Sequence, residues 1–363
     1  MSDSPQEPRA WPRRVVAGSI ALVVALVALL VMSFLPTEYV LQRPGPVYNT
    51  IGAVQDADGA EVPLISVPDG EAHETTGSLS LTTVEVVGNR EHPLSWIELA
   101  SAWFDRSRAI VPISAVFPEG QTSEQRDAQN QAAMTDSQSE AEAAALRHLG
   151  YDVPADIRVV SLTDDSPSQG LIEEGDLIRA VDGQTVEQVT GLRDGIAAAA
   201  GDPVVLTLER DGDEVTEEVT PEKLEDDSWA IGALLSVSYE NPVDISIQLD
   251  NVGGPSAGTM FALGIIDTLT EGEMTGGENI AGTGTITAEG DIGAIGGIRQ
   301  KLYGASNAGN DFFLAPASNC AEVVGHVPHR LTVVSVETLD DAVDAVDMIA
   351  QGEAENLPSC APS

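Results

Sequence analysis

Lysine is almost missing from this chain. Of its 363 residues 17 are Lys or Arg against 58 Asp or Glu, and only Lys223 and Lys301 are lysine. The formal charge of -41 argues against nucleic acid and against an anionic membrane surface as partners, since both repel such an exterior. A well-solvated, salt-adapted surface accounts for the acid excess more simply than an acidic functional patch. No Gly-x-x-x-x-Gly-Lys-Ser/Thr phosphate loop occurs, which argues against a nucleotide-driven module. There are two cysteines, Cys320 and Cys360. In a reducing compartment they read as two unrelated thiols; outside the cell they read as a disulfide clipping the tail to the body.

The two lysines differ in setting. Lys223 sits in Glu222-Lys223-Leu224-Glu225-Asp226-Asp227, an acidic hinge where a lysine is simply solvated. Lys301 lies in the most glycine-rich, patterned part of the chain. A sequence that otherwise uses arginine keeps lysine where a side chain must be able to lose its proton.

Residues 1–14 are polar and carry Arg9, Arg13 and Arg14, and residues 15–35 are an uncharged apolar run long enough to cross a bilayer as a helix. Met32-Ser33-Phe34-Leu35-Pro36 is a poor cleavage site, so the run reads as a signal anchor rather than a removed leader. Three arginines before it, against Arg43 and Glu38 after it, place the N-terminus in the cytoplasm and the bulk of a single-pass membrane protein outside. Arg43-Pro44-Gly45-Pro46 then reads as a stiff stalk, and Leu79–Val87 as a β-branched strand. Ser95 and Glu98 form a capping box for a helix over Trp96–Phe104. The stretch from Gln121 to Leu149 is helical, with Met134, Ala141, Ala145 and Leu149 along one face as core.

From Gly150 to Pro221 the pattern changes to short strands separated by turns, with a helix around Leu192–Ala200. Gly175-Asp176-Leu177-Ile178 and Val181-Asp182-Gly183-Gln184 resemble the motifs of a bacterial PDZ domain. That resemblance implies a sheet edge open beside a helix, to which an extended peptide adds as a strand. It also implies that Gly150, Tyr151, Asp152 and Val153 form the loop whose N–H groups hold a peptide's terminal carboxylate.

Chemistry concentrates after the hinge. Gly253-Gly254-Pro255-Ser256-Ala257-Gly258 suits a sharp turn into a helix, putting Ser256 near unpaired backbone N–H groups. A serine hydroxyl needs an adjacent base, and Lys301 serves only when neutral. Burial must lower its pKa by about 3 units, which Ile295, Ile298, Leu302 and Tyr303 are placed to do. Thr283 is a hydrogen-bond partner able to orient the amine.

Gly254–Gly258, Thr283-Gly284 and Ile295-Gly296-Gly297-Ile298-Arg299-Gln300-Lys301-Leu302 together resemble the proteolytic domain of Lon proteases. Met134-Thr135-Asp136-Ser137-Gln138 looks like an earlier part of that domain, which makes the PDZ-like segment an insertion. The resemblance implies Ser256 as nucleophile, Lys301 as base and Thr283 in support; the missing phosphate loop departs from it and implies no nucleotide, and no cofactor or metal is expected. The chain also departs in having Gly253 where Lon proteases often carry an acid. The expected architecture is α/β (α+β), a Lon-type proteolytic domain with a β-rich PDZ-like domain after one transmembrane helix. Its parts are a cytoplasmic tail over 1–14, an anchor over 15–35, and a stalk with the first protease portion over 36–149. A PDZ-like domain over 150–221, the Lon-like domain over 229–350 and a tail over 351–363 follow. The expected function is an ATP-independent, membrane-anchored serine endopeptidase to which the PDZ-like domain presents peptide or unfolded protein. The ring-forming habit of Lon proteases implies a homo-oligomer.

Two rivals fit parts of the pattern. Gly254-x-Ser256-x-Gly258 also suits an α/β-hydrolase elbow with His326 or His329 as base, but that leaves Thr283 and the Lys301 segment unexplained. Alternatively the chain is a membrane-tethered peptide-binding adaptor whose protease fold is inactive.

Overall fold

A computed structural model of the chain describes residues 13–55, 59–68, 72–73, 75–118, 120–186, 188–224, 227–249 and 252–360. In chain order the main elements begin with α1 (Arg13–Phe34), β1 (Tyr39–Asn49), β2 (Ser78–Val87), α2 (Trp96–Ala102), β3 (Ala109–Pro112) and α3 (Ser123–His148). Next come β4 (Ala155–Leu162), β5 (Leu177–Val181), α4 (Val189–Ala198), β6 (Val204–Arg210), β7 (Asp213–Val219) and β8 (Ala233–Tyr239). The last third holds α5 (Gly258–Leu269), β9 (Asn279–Gly282), α6 (Ile298–Asn307), β10 (Phe312–Pro316), β11 (Thr332–Val336) and α7 (Leu339–Ala350).

One sheet runs β11-β10-β9-β2-β1-β3. Its centre joins distant parts of the sequence: β9 lies parallel to β2, pairing Asn279–Gly282 with Ser78–Leu81. The segment read as a stalk is instead inside β1, which pairs antiparallel with β2 and shifts register between Pro44 and Val47. Proline donates nothing to a ladder and is tolerated at such an irregularity, so Pro44 and Pro46 mark a bulge rather than a linker. Helix α5 is buried from Gly258 to Thr268, as its apolar composition all round demands. It packs between the sheet and α3, whose Met134, Ala141, Ala144 and Ala145 join its Met260, Phe261 and Leu263 in the largest core cluster. Thr122 with Gln125, like Ser95 with Glu98 and Thr338 with Asp341, forms a capping box that fixes where its helix starts.

The second sheet runs β7-β6-β5-β4-β8 and has its own core of Ile157, Ile178, Leu192, Leu206 and Leu208. Its edge strand β8 follows the acidic segment and pairs Ala233–Tyr239 with Leu162–Ala155. Residues 229–239 therefore belong to the β-rich domain, which corrects the boundary expected at 229. The hinge is itself paired, Glu222-Lys223 against Trp229-Ala230. At the junction Arg147 of α3 lies 5.5 Å from the Tyr239 ring, and Asn241 Nδ2 donates to Glu142 at 2.9 Å.

Cys320 and Cys360 are joined in a disulfide across a separation of 40 residues. The tail is also held by Ser335 N–H donating to Pro358 O at 2.8 Å. Cys360→Ser is expected to cost about 2–4 kcal/mol by freeing the loop of the unfolded chain. Urea unfolding checks the size, and faster proteolysis between residues 352 and 360 checks the place.

Candidate active site

Ser256 lies in the turn entering α5. Gly254 holds φ +89° there, a left-handed backbone that glycine adopts without strain. Its N–H donates to Asn130 O at 2.7 Å, and Ser137 Oγ donates to Pro255 O at 2.9 Å, so α3 grips the turn from outside. The helix starts after Ala257 with no side-chain cap, so Ser256 is not spent as a structural cap. Thr259 N–H donates to Gly284 O, and Met260 and Phe261 N–H to Ala257 O, so donors suited to a developing oxyanion must come from the backbone of the turn before them.

Lys301 arrives from α6, whose N-cap Gly297 is left-handed at φ +70°. That residue cannot be enlarged, since a Cβ would stand 2.8 Å from Val84 Cγ2. The lysine is 2% exposed and Thr283 is 0% exposed. Lys301 Nζ stands 2.6 Å from Ser256 Oγ and 2.8 Å from Thr283 Oγ1. Thr283 Oγ1 donates its one proton to Ser256 O at 2.8 Å. The hydroxyl can therefore only accept from Lys301, which turns a neutral amine's lone pair toward Ser256 Oγ. Burial lowers the Lys301 pKa to about 7. Among the described residues no carboxylate forms an ion pair with it to oppose that shift. Ile295, Ile298 and Leu302 form the apolar cluster beside it, while Tyr303 is half-buried.

The cleft over this pair has a volume of about 270 Å³. Tyr48, Leu81, Met134 and Val252 give it an apolar side. Its other wall is β2 from Thr82 to Glu85, beyond the point where β9 stops pairing at Leu81. His326 and His329 are not in it.

The structure thus brings Ser256, Lys301 and Thr283 together and leaves Gly150, Tyr151, Asp152 and Val153 elsewhere. Those four close the end of α3: Gly150 N–H donates to Arg147 O at 2.9 Å, Tyr151 N–H to Leu146 O at 3.0 Å, and Val153 is buried in a small separate cluster. The groove of the β-rich domain, of about 1060 Å³, lies instead between α4 and β8. Leu192 and Ile196 line one side, Leu234, Leu235 and Val237 the other, and Trp229, Ile231 and Gly232 one end. Its far end reaches Glu140, Thr287 and Glu289 of the first body. Neither this groove nor the Asn130 grip on the serine turn carries a local sequence signal.

Comparison with known proteins finds two domain families in the chain. Residues 249–348 match the Lon protease (S16) C-terminal proteolytic domain, and residues 126–220 match the PDZ domain. Lon protease 2 of Herpetosiphon aurantiacus is 37% identical over 108 residues, 28% of this chain and 13% of that protein. The Lon protease of Clostridioides difficile is 36% identical over 103 residues, again 28% of this chain and 13% of that protein. Among solved structures, the PDZ domain of the SdrC-like protein from Listeria innocua is 24% identical, covering 22% of this chain and 92% of that one, with a TM-score of 0.21. The chain carries a Lon-type proteolytic domain and a PDZ domain.

Proposed function

We propose that this chain is a membrane-anchored serine endopeptidase that works without nucleotide through Ser256 and Lys301. The observation that carries the reading is the 2.6 Å contact between the two side chains, with the amine buried and its pKa lowered to about 7. Neutral Lys301 takes the hydroxyl proton as Ser256 Oγ bonds to the scissile carbonyl carbon. The carbonyl oxygen becomes an oxyanion beside the backbone of the serine turn that leads into α5, ahead of Thr259, Met260 and Phe261, whose N–H groups are already bonded. The Lys301 ammonium returns its proton to the leaving amine, which departs and leaves an acyl ester on Ser256. Water, deprotonated by the same amine, then releases the acid.

Substrate strand fits beside β2 at Thr82–Glu85, where the ladder is vacant, with an apolar side chain against Tyr48, Leu81, Met134 and Val252. The α4–β8 groove ends at Glu140 and Glu289 beside the protease body, which suits it to receive the same polypeptide further along. Helix α1 supports anchoring, since Arg14–Met32 is long and apolar enough to cross a membrane. The disulfide fits an oxidising compartment outside it.

Hydrolysis of casein by the full chain without ATP, set against Ser256→Ala, tests the reading. Loss of cleavage with retained casein binding supports a protease; unchanged cleavage overturns it. Leu234→Glu, at an exposed groove position, is expected to lower kcat/KM for casein about tenfold and to leave a short peptide's turnover unchanged.

A further inference from the structure

Aromatic residues make up 4% of the chain, and two of its four tryptophans stand within eight positions of each other on one exposed rim. Helix α2 uses its inner face for the core, burying Leu99 and Ala102 against Leu41 and Leu94. Its outer face and the turn after it present Trp96 and Ile97, with Trp103 80% and Phe104 91% exposed. Exposed singly such side chains mean little, but a contiguous apolar rim of this kind marks a contact surface.

What lies against the rim is set by its neighbour. Thr37 N–H, three residues past the end of α1, donates to Leu94 O at 3.0 Å, and Pro36 bridges to Ser95. The outer end of α1 is thereby fixed next to α2. The rim is also electrically quiet. Between residues 94 and 108 the charged side chains are Glu98, Asp105, Arg106 and Arg108, which cancel, in a chain of net charge -41. Glu98 is engaged in the capping box, and Asp105 pairs with Arg108 at 2.9 Å. Tryptophan and phenylalanine without net negative charge suit the headgroup level of a bilayer, where an amphipathic ring has one end wet and one end apolar.

We propose that Trp96, Ile97, Trp103 and Phe104 form a foot that lies in the outer headgroup region of the membrane α1 crosses, holding the protease body at a fixed tilt. The occupant is lipid, because the rim continues the apolar surface of α1 at the depth where that helix emerges. The inference rests on the anchoring reading given above for α1.

Brominated lipids test it on the full chain reconstituted in phosphatidylcholine vesicles. In one variant Trp103 is the sole tryptophan, with Trp11, Trp96 and Trp229 each replaced by Phe. In a second only Trp229 remains, and in a third Leu22→Trp, with all four native tryptophans changed to Phe, reports on α1 itself. Lipids brominated near the headgroup end should quench most of the Trp103 emission and leave that of Trp229 unchanged. Lipids brominated near the chain ends should quench Leu22→Trp. Quenching of Leu22→Trp with none at Trp103 overturns the foot and leaves the anchor standing. No quenching at Leu22→Trp overturns both. Trp103 emission that shifts with protein concentration but not with bromine means a second copy covers the rim, which also overturns the proposal.

Discussion

Lys301→Arg should abolish peptide-bond hydrolysis although it keeps the positive charge. The amine works here only by giving up its proton, and a guanidinium does not do so in the accessible pH range. Loss of a general base costs about 10²–10⁴-fold in rate, so kcat/KM should fall by at least that much. Ser256→Ala should fall further, to the rate given by binding and the oxyanion site alone, about 10⁶-fold below the native enzyme. In the native enzyme kcat/KM should rise about tenfold per pH unit in acid and level off above the Lys301 midpoint of about 7. Activity of Lys301→Arg within a few-fold of native, or a profile flat from pH 5 to pH 9, would remove the amine from the mechanism.

The same burial predicts a gain of stability when the lysine is removed. Its pKa falls from 10.5 to about 7 on folding, at 2% exposure and with desolvation as the cause. The unfolded chain therefore binds more protons between those two values, and native stability rises with pH across that window. Below pH 7 the whole penalty is present, about 5 kcal/mol at 1.36 kcal/mol per unit. Above pH 10.5 it is gone. Lys301→Met fills similar space without a charge but leaves the Ser256 and Thr283 hydroxyls one partner short, at about 1–2 kcal/mol. The variant should be about 3 kcal/mol more stable than native at pH 6 and no more stable at pH 10.5. Paired urea titrations at several pH values measure this. A variant that is less stable at pH 6 would mean the lysine is not desolvated.

The meeting of Ser256, Lys301 and Thr283 was legible because each sits in a local pattern with its own physical reason. Gly254-Pro255-Ser256 makes a turn, Thr283 ends a strand, and Lys301 follows a glycine able to open a helix left-handed. Helix starts were legible for the same reason, as at Ser95, where the cap and its partner Glu98 are three residues apart. The α4–β8 groove was not legible because its edge strand comes last: β8 follows an acidic segment and pairs back to β4 across more than 70 residues. Arg43–Pro46 was misread because two prolines and a glycine look like a linker unless the bulge that accommodates them is seen. Asn130 holds the serine turn from over 100 residues away and nothing in its own neighbourhood announces it, while Ser137, which holds it too, lies in the Met134–Gln138 stretch that the resemblance singled out.

The interleaving of the first sheet has a temporal consequence. Strand β2 is synthesised almost 200 residues before β9, the partner that separates it from β10. Loop closure over such distances is slow and waits for the chain to be present. The ribosome must release Lys301 and the strands after it before Ser256 and Lys301 can meet. A nascent polypeptide therefore leaves the ribosome with the centre of this sheet still open. The sheet closes only when its late-made middle strand arrives, and Ser256 and Lys301 come together no earlier.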